Sequence, residues 1–268
     1  MERAGDLLRE AGRVLVAYSG GVDSSLVLEI GHRVLGAGCT GILAVSPSLP
    51  AAEREAALAL AAARGIAVEA HPTFEMERAG YVANGADRCY HCKVEVYGLI
   101  ARLAAERGAV AADGFNRDDR ADWRPGRRAA VEQGVVSPLD AAGMGKADVR
   151  AAARELGLPN WDKPAAACLS SRVPYGTPVT LAALSRVAAA EGALRAEGFA
   201  VVRVRDRGAV ASVEVEPAAL ARLRQPDRLA RIVTRLRGIG YAEVRVDPEG
   251  YRPGKLNLAP AGGAGSPE

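Results

Sequence analysis

A chain of 268 residues is long enough for one large domain or a medium domain with a small companion, and at that size roughly three quarters of the unfolded surface can be buried without disulfide or metal staples. An apolar content of 49% and a charged content of 25% are those of an ordinary globular protein, and a net charge of +3 is too slight to argue for a nucleic-acid partner. Acids near the start and the lack of any apolar run of about 18 residues argue against a secretory leader or a membrane span, so the four cysteines are expected reduced in the cytoplasm, as metal ligands or nucleophiles.

In chain order, the β-branched run over 14–18 reads as a buried strand and 24–35 as the helix that follows. A second strand is expected over 41–45, then an Ala/Glu/Arg-rich helix, then a third strand over 66–70. A helix beginning near Tyr90 runs to Glu106, with strands over 109–113 and 135–137 and a helix over 146–156 behind it. This alternation predicts an α/β domain over 1–158, a parallel five-stranded sheet with helices on both faces.

Beyond Leu158, prolines at 159, 164, 174 and 178 punctuate a Ser- and Gly-containing stretch, and 159–179 is expected to be a functional connecting loop. A helix over 181–197, strands over 200–205 and 210–215, a long helix over 217–236 and a strand over 242–246 predict a smaller α+β domain over 180–256. Period-two alternation puts Arg203 and Arg205 on one face of its first strand and Val202 and Val204 on the other. The Gly/Pro/Ala tail over 257–268 is expected to be disordered.

The segment Ser19-Gly20-Gly21-Val22-Asp23-Ser24-Ser25 leaves the first strand and opens the following helix. Glycines let backbone amides approach an oxyanion, and a helix N-terminus adds unpaired N–H groups and a favourable dipole. The serine hydroxyls add donors, and Asp23 is placed to hold Mg2+, an oxygen-seeking ion. No G-x-x-x-x-G-K-[ST] is present, so no loop lysine sits on the terminal phosphates, and the absence of G-x-G-x-x-G after the first strand weighs against a dinucleotide dehydrogenase. A Gly-Gly turn with a Ser/Asp cap would account for fewer of these positions.

The loop resembles the S-G-G-x-D-S loop of the PP-loop ATP pyrophosphatases, of the adenine nucleotide alpha hydrolase-like fold. That resemblance implies ATP cleavage between the α and β phosphates, adenylation of a carboxylate or carbonyl oxygen, and displacement of AMP by a nucleophile. It implies an ATP site of Ser19, Gly20, Gly21, Asp23, Ser24 and Ser25, joined by Ser46 after the second strand and Gly114 after the fourth.

Cys89-Tyr90-His91-Cys92 opens a predicted helix and Cys168 lies in the connecting loop; both segments should reach the carboxyl edge of the sheet, where ATP is expected. Two cysteines three apart can hold one metal centre, and a distant third can close it. Three thiolates without a fourth suit a 4Fe–4S cluster with one open iron, a seat for exogenous sulfide. A zinc site of the three cysteines with His91 and unmetallated thiols at a helix start are alternatives that the spacing leaves open. Cys39 reads as a small buried hydrophobe.

Together these segments resemble the LarE family, the ATP-dependent sulfur transferases of nickel-pincer nucleotide biosynthesis, over nearly the whole chain. The resemblance is carried by the phosphate loop, Asp87-Arg-Cys-Tyr-His-Cys-Lys93, Asp113-Gly-Phe-Asn-Arg-Asp-Asp119, Trp123-Arg-Pro-Gly126, Ala167-Cys-Leu-Ser-Ser-Arg-Val-Pro-Tyr-Gly176, Arg203-Val-Arg205 and Gly250-Tyr-Arg-Pro-Gly254. It implies a small-molecule nucleotide substrate, pyridinium biscarboxylic acid mononucleotide, adenylated at a carboxylate and converted to a thiocarboxylate. It also implies a homo-oligomer that takes sulfur from sulfide or a sulfur-carrier donor. Two sulfur strategies occur in such enzymes: a single cysteine at the position of Cys168 gives up its own sulfur, or three cysteines hold a 4Fe–4S cluster that relays sulfide. Cys89, Cys92 and Cys168 are all present, which favours the cluster; sacrificial donation needs only Cys168.

Catalytic roles then fall to Cys168, Asp23 and Lys93, the last beside the leaving phosphate or the thiolates. Arg172, Arg203 and Arg205 are expected on the phosphate and carboxylates of the substrate, which guanidinium forks pair bidentately; a solvated charged face would show the same alternation. Asp113, Asn116, Asp118 and Asp119 suit nucleotide or Mg2+ contacts, and equally an Asx-rich turn. The rivals are a tRNA thiolase of the same superfamily, opposed by the near-neutral charge and the lack of an RNA-binding module, and a nucleotide sensor that never turns ATP over. An amidotransferase-type synthetase would leave the cysteines without a role.

Overall fold

The computed structural model describes residues 1–121, 126–164 and 167–252. The expected motif residues Trp123-Arg-Pro and Pro253-Gly254, and the tail over 257–268, lie outside the described residues. The chain divides into two compact units, Met1–Cys168 with Tyr175–Thr180, and Leu169–Pro174 with the described residues from Leu181 on. The connecting stretch over 159–179 is thereby shared between them.

In the first unit, α1 (Glu2–Ala11) precedes β1 (Val14–Ala17), α2 (Val22–Leu35), β2 (Cys39–Val45), α3 (Ala51–Ala63) and β3 (Val68–Pro72). A one-turn α4 (Ala79–Val82) leads into α5 (Arg88–Glu106), β4 (Val110–Ala112), α6 (Gly126–Glu132), the one-turn α7 (Pro138–Ala141) and α8 (Lys146–Glu155). α5 starts two residues before the expected Tyr90, which places both Cys89 and Cys92 inside the helix.

Among the described residues the strands form an all-parallel sheet in the order β3-β2-β1-β4, four strands where the sequence predicts five. The segment over 135–137 meets β4 through a single bridge, Ala112 with Val136, where Val136 N–H donates to Ala111 O and Asp113 N–H donates to Val136 O. It cannot lengthen into a strand. Gly134 turns the chain at φ 66° just before it, and Pro138, which has no N–H, opens α7 just after.

β1 runs through the middle of the sheet. Val14 and Val16 pack with Leu8 of α1, Leu26 of α2 and Val149 of α8, while Leu15 packs on the opposite face with Ile100 and Leu103 of α5 and Ala130 of α6. Alternate side chains thus enter two separate cores, which is why this strand reads as an unbroken apolar run rather than an alternating one. Each fully buried Leu, Ile or Val there contributes about 1.5–3 kcal/mol. The chain steps outward from β1 to β2 and β3, then returns to β4 on the far side of β1. The loops leaving β1 and β4 therefore diverge at the carboxyl edge, a switch point of the kind that receives ligands.

The second unit holds α9 (Leu181–Ala196), β5 (Val202–Arg207), β6 (Val210–Val215), α10 (Leu220–Leu223), α11 (Pro226–Gly238) and β7 (Glu243–Val246). Its sheet runs β5-β6-β7, the first pair antiparallel and the second parallel. The expected long helix over 217–236 is broken: Gln225, preceding Pro226, is held extended at ψ 127°, which ends α10 and starts α11 with proline in its first turn. Its core gathers Leu194, Phe199, Val204, Val213, Ile232 and Leu236. No helix among the described residues is long and apolar enough to cross a membrane.

Candidate active site

Tyr18 extends the pairing of β1 with an N–H bond to Ile42 O (3.0 Å), and its hydroxyl donates to Ala57 O of α3 (2.8 Å). The chain then turns. Ser19 N–H donates to Ser24 Oγ (3.2 Å), the Ser19 and Ser24 hydroxyls lie 3.1 Å apart, and Ser24 O–H donates to Gly21 O (3.2 Å). Gly20 has φ 70°, and a Cβ there would lie 2.6 Å from Ala57 Cβ, so only glycine permits both the turn and the approach of α3. The Ser25 N–H bond to Gly21 O (2.9 Å) is an i to i−4 bond at the start of α2, whose N-cap Gly21 offers no side chain. The amides ahead of Ser25 lie at the positive end of the helix dipole, worth about half a unit charge.

The turn after β4 forms the opposite wall of this loop. A Cβ on Gly114 would stand 2.6 Å from Ser24 N and 2.9 Å from Asp23 C. Buried Asn116 donates from Nδ2 to Asp23 Oδ1 (2.8 Å), while its Oδ1 accepts from the amides of Asp118 (3.0 Å) and Asp119 (3.3 Å). One asparagine thus caps its own turn and orients the Asp23 carboxylate, so the Asx-turn and ligand-contact readings of this stretch share a residue. Asp113, also buried, accepts from Tyr97 O–H (2.9 Å), Ser137 O–H (2.7 Å) and Phe115 N–H (3.1 Å).

Two residues of the connecting stretch reach the loop. Asn160 Nδ2 donates to Gly20 O (3.1 Å) and Ser25 Oγ (3.0 Å), and Lys163 Nζ donates to Gly20 O (3.4 Å) and Glu53 Oε2 (2.7 Å). At the end of β2, the Ser46 and Ser48 hydroxyls lie 2.9 Å apart and Ser48 O–H donates to Glu75 Oε1 (3.2 Å). Glu75 is buried, and its Oε2 has no hydrogen-bond partner among the described residues.

Cys89 and Cys92 share a side of α5 through their i, i+3 spacing. Cys89 is exposed; Cys92 and Cys168 are half-buried. Burial pushes the Cys92 thiol up to about 12, with Lys93 opposing the shift and Glu75, Cys168 and Cys89 adding to it. The three cysteines, Glu75 and Lys93 therefore occupy one electrostatic neighbourhood. Lys93 Nζ stands 5.1 Å from the Tyr97 ring centroid, and its pKa is raised first by Tyr97 and then, against desolvation, by Cys92, Asp113 and Cys89. Among the described residues no three His, Cys, Asp or Glu side chains already stand as a metal-holding group, and His91 Nε2 lies 3.1 Å from Asp87 Oδ2. The donor types, soft thiols, fit iron or zinc; binding either would have to draw the proton from desolvated Cys92.

In the second unit, fully buried Arg172 donates from Nε and Nη2 to Glu191 (2.7 and 3.2 Å), which also accepts from Arg195 Nη2 (3.0 Å) and Val204 N–H (3.2 Å). Arg205 clamps Glu214 through Nε (2.9 Å) and Nη2 (3.1 Å) and donates to Ser171 O (2.9 Å). Arg203 lies 4.9 Å from the Tyr251 ring centroid; burial, then the nearby Arg172, lower its pKa. This is not a solvated face. The arginines make a charged cluster balanced by two buried glutamates.

The structure therefore brings Ser19–Ser25, Gly114 and Asp23 together, links them through Asp113 and Tyr97 to Lys93 and the cysteines, and gathers Arg172, Arg203 and Arg205 in the second unit. Sequence reasoning missed Tyr97, although it lies one helical turn from Lys93, and Asn160 and Lys163, although their loop stood out for its prolines. Glu75 carried no signal in the sequence.

No protein-family model matches the chain. It is 38% identical over 253 residues, 93% of its own length and 91% of the relative's, to the pyridinium-3,5-bisthiocarboxylic acid mononucleotide synthase of Lactiplantibacillus plantarum. It is 44% identical over 258 residues, 96% of each chain, to an uncharacterised protein of Synechocystis. An uncharacterised protein of Methanocaldococcus jannaschii is 25% identical over 241 residues, 90% of this chain and 91% of that one.

Proposed function

The chain belongs to the LarE family, and from that premise we propose that it is an ATP-dependent sulfur transferase acting on pyridinium biscarboxylic acid mononucleotide. A substrate carboxylate oxygen attacks the α phosphorus of ATP; the bond to the bridging oxygen of the β phosphate breaks and pyrophosphate leaves. Hydrosulfide then attacks the adenylated carbonyl carbon, AMP departs, and a thiocarboxylate is formed. Adenylation is needed because a free carboxylate has no leaving group that sulfur could displace.

The observation that carries this reading is a path in the first unit made of packing and hydrogen bonds as far as Tyr97 and Lys93 and of electrostatic coupling from Lys93 to the thiols. Ser24 abuts Gly114; Asp113, next in the chain, accepts from Tyr97; Tyr97 lies against Lys93; Lys93 and Cys92 interact, and Cys92 interacts with Cys168. A phosphate cradle and a set of thiols at the two ends of one path suit a reaction that activates with ATP and finishes with sulfur. The loop amides and the Ser19, Ser24 and Ser25 hydroxyls bind phosphate oxygens. Asp23, oriented by Asn116, holds Mg2+. Lys93 carries positive charge between the loop and the thiols, and Arg203, beside the glutamate-paired Arg172 and Arg205, takes the substrate's anionic groups. Cys89, Cys92 and Cys168 would hold the 4Fe–4S cluster, which when bound supplies a site for sulfide.

Anaerobically purified protein tests both halves. Pyrophosphate release that depends on the pyridinium nucleotide supports adenylation, and its absence sinks it. Iron and acid-labile sulfide that disappear in Cys89→Ala/Cys92→Ala support the cluster. Loss of the mass of hydrogen sulfide from Cys168 during a single turnover would instead establish sacrificial donation.

A further inference from the structure

Among Ser19–Ser25 the single charged residue is an acid, Asp23. A nucleoside triphosphate brings several negative charges to such a loop, and a helix dipole supplies only about half a positive one. The fold delivers a cation from elsewhere. Lys163 reaches the loop from 143 residues away, its ammonium donating at 3.4 Å to Gly20 O and at 2.7 Å to Glu53 Oε2 on α3.

The backbone and the ammonium of Lys163 are held very differently. Lys163 N–H donates to Asn160 O (3.0 Å), Asn160 Nδ2 is pinned on Gly20 O and Ser25 Oγ, and Arg150 Nη2 donates to Lys163 O (3.3 Å). The main chain is thus registered on the loop by bonds independent of the lysine's charge. The ammonium has one ion pair, with side chains 25% and 32% exposed, and one long carbonyl contact. Pairs this open to water are weak and exchange partners readily. A lysine ammonium is also a compact point charge well matched to phosphate oxygens.

We propose that Lys163 is the pyrophosphate-side cation of the phosphate loop: its ammonium leaves Glu53 for the β and γ phosphates when ATP binds, and neutralises the departing pyrophosphate. This inference rests on the reading that the loop holds ATP. It divides the cations of the site, with Lys163 on the Gly20 side and Lys93 on the thiol side.

Calorimetric titration of the full chain with MgATP, magnesium pyrophosphate and AMP tests it, comparing wild type with Lys163→Met, Lys163→Arg and Glu53→Gln. Lys163→Met should weaken ATP and pyrophosphate by about tenfold or more, the loss of one charge-assisted contact. AMP should stay within about twofold of wild type, which also shows that the variant is folded. Lys163→Arg should recover part of the loss, and Glu53→Gln should bind pyrophosphate at least as tightly as wild type. Equal losses for AMP and ATP, parallel losses in Lys163→Met and Glu53→Gln, or no change in any affinity would each reduce Lys163 to a structural tie and overturn the proposal. A wild-type chain that binds no nucleotide would instead defeat the ATP reading itself.

Discussion

Replacing Gly114 with alanine would put a methyl carbon 2.6 Å from Ser24 N, 2.9 Å from Asp23 C and 3.0 Å from Ser24 Cα. Ordinary contacts between carbon atoms lie at about 3.5–4.0 Å, so the turn after β4 and the start of α2 must part by roughly 1 Å. All three atoms belong to backbone, and no side-chain rotation can relieve the clash. Overpacking of this kind costs about 1–3 kcal/mol. The same movement draws Asn116 away from Asp23, a bond of 2.8 Å, and shifts the loop amides proposed to face the phosphates. ATP affinity should therefore fall by at least about tenfold. Gly98→Ala in α5 is the matched control. Its Cβ would meet nothing within 4 Å, and it should stabilise the helix by about 0.5–1 kcal/mol. Trp161 packs against the core of the first unit, so tryptophan emission during urea unfolding reports on that unit, and calorimetry gives the ATP affinity. A Gly114→Ala protein that keeps both its urea midpoint and its affinity would refute the shared wall. One that is destabilised but binds ATP normally would refute the placement of the phosphates there.

Glu29 accepts from Arg33 Nε (2.7 Å) and from Arg64 Nε (3.0 Å) and Nη2 (2.6 Å). Desolvation raises its pKa, but the hydrogen bonds and charges of Arg64 and Arg33 outweigh it and hold the carboxyl below its ordinary value of 4.5. A depressed folded pKa contributes stability that is complete above the unfolded pKa and lost as pH falls through the folded one. Glu29→Gln should thus be about 1–2 kcal/mol less stable at neutral pH, a figure reduced for the exposure of the arginines. Its deficit should shrink on acidification below pH 4.5; a deficit constant down the acid limb would contradict the assignment. In the second unit, Glu191→Leu or Arg172→Leu alone breaks the buried Arg172–Glu191 pair and should cost about 3–5 kcal/mol, with Arg172→Leu at the lower end because Arg195 still pairs with Glu191. The double replacement should recover much of that loss, and strictly additive costs in a denaturation cycle would show that the two do not act as a pair.

Much of this protein is written locally. The apolar run of β1, the Gly20-Gly21 turn into α2 and the three-residue spacing of Cys89 and Cys92 are near-neighbour patterns, and periodicity and turn chemistry read them directly. The alternation of strand and helix likewise determines an α/β unit followed by a smaller α+β one. The fifth strand failed because its failure depends on Gly134 and Pro138 acting together on a segment too short to form a ladder. A solvated face stayed open for the arginines because the sequence does not announce that Arg172 meets Glu191, nor Arg205 Glu214. Gly114 against Ser24, Asn116 on Asp23 and Lys163 on Gly20 join residues roughly 90 to 143 positions apart. Residue types and spacing therefore pointed to phosphate and thiol chemistry. Which charges are already neutralised and which remain available to a ligand was decided only by the tertiary structure, because charge compensation is set by distance in space and not by distance along the chain.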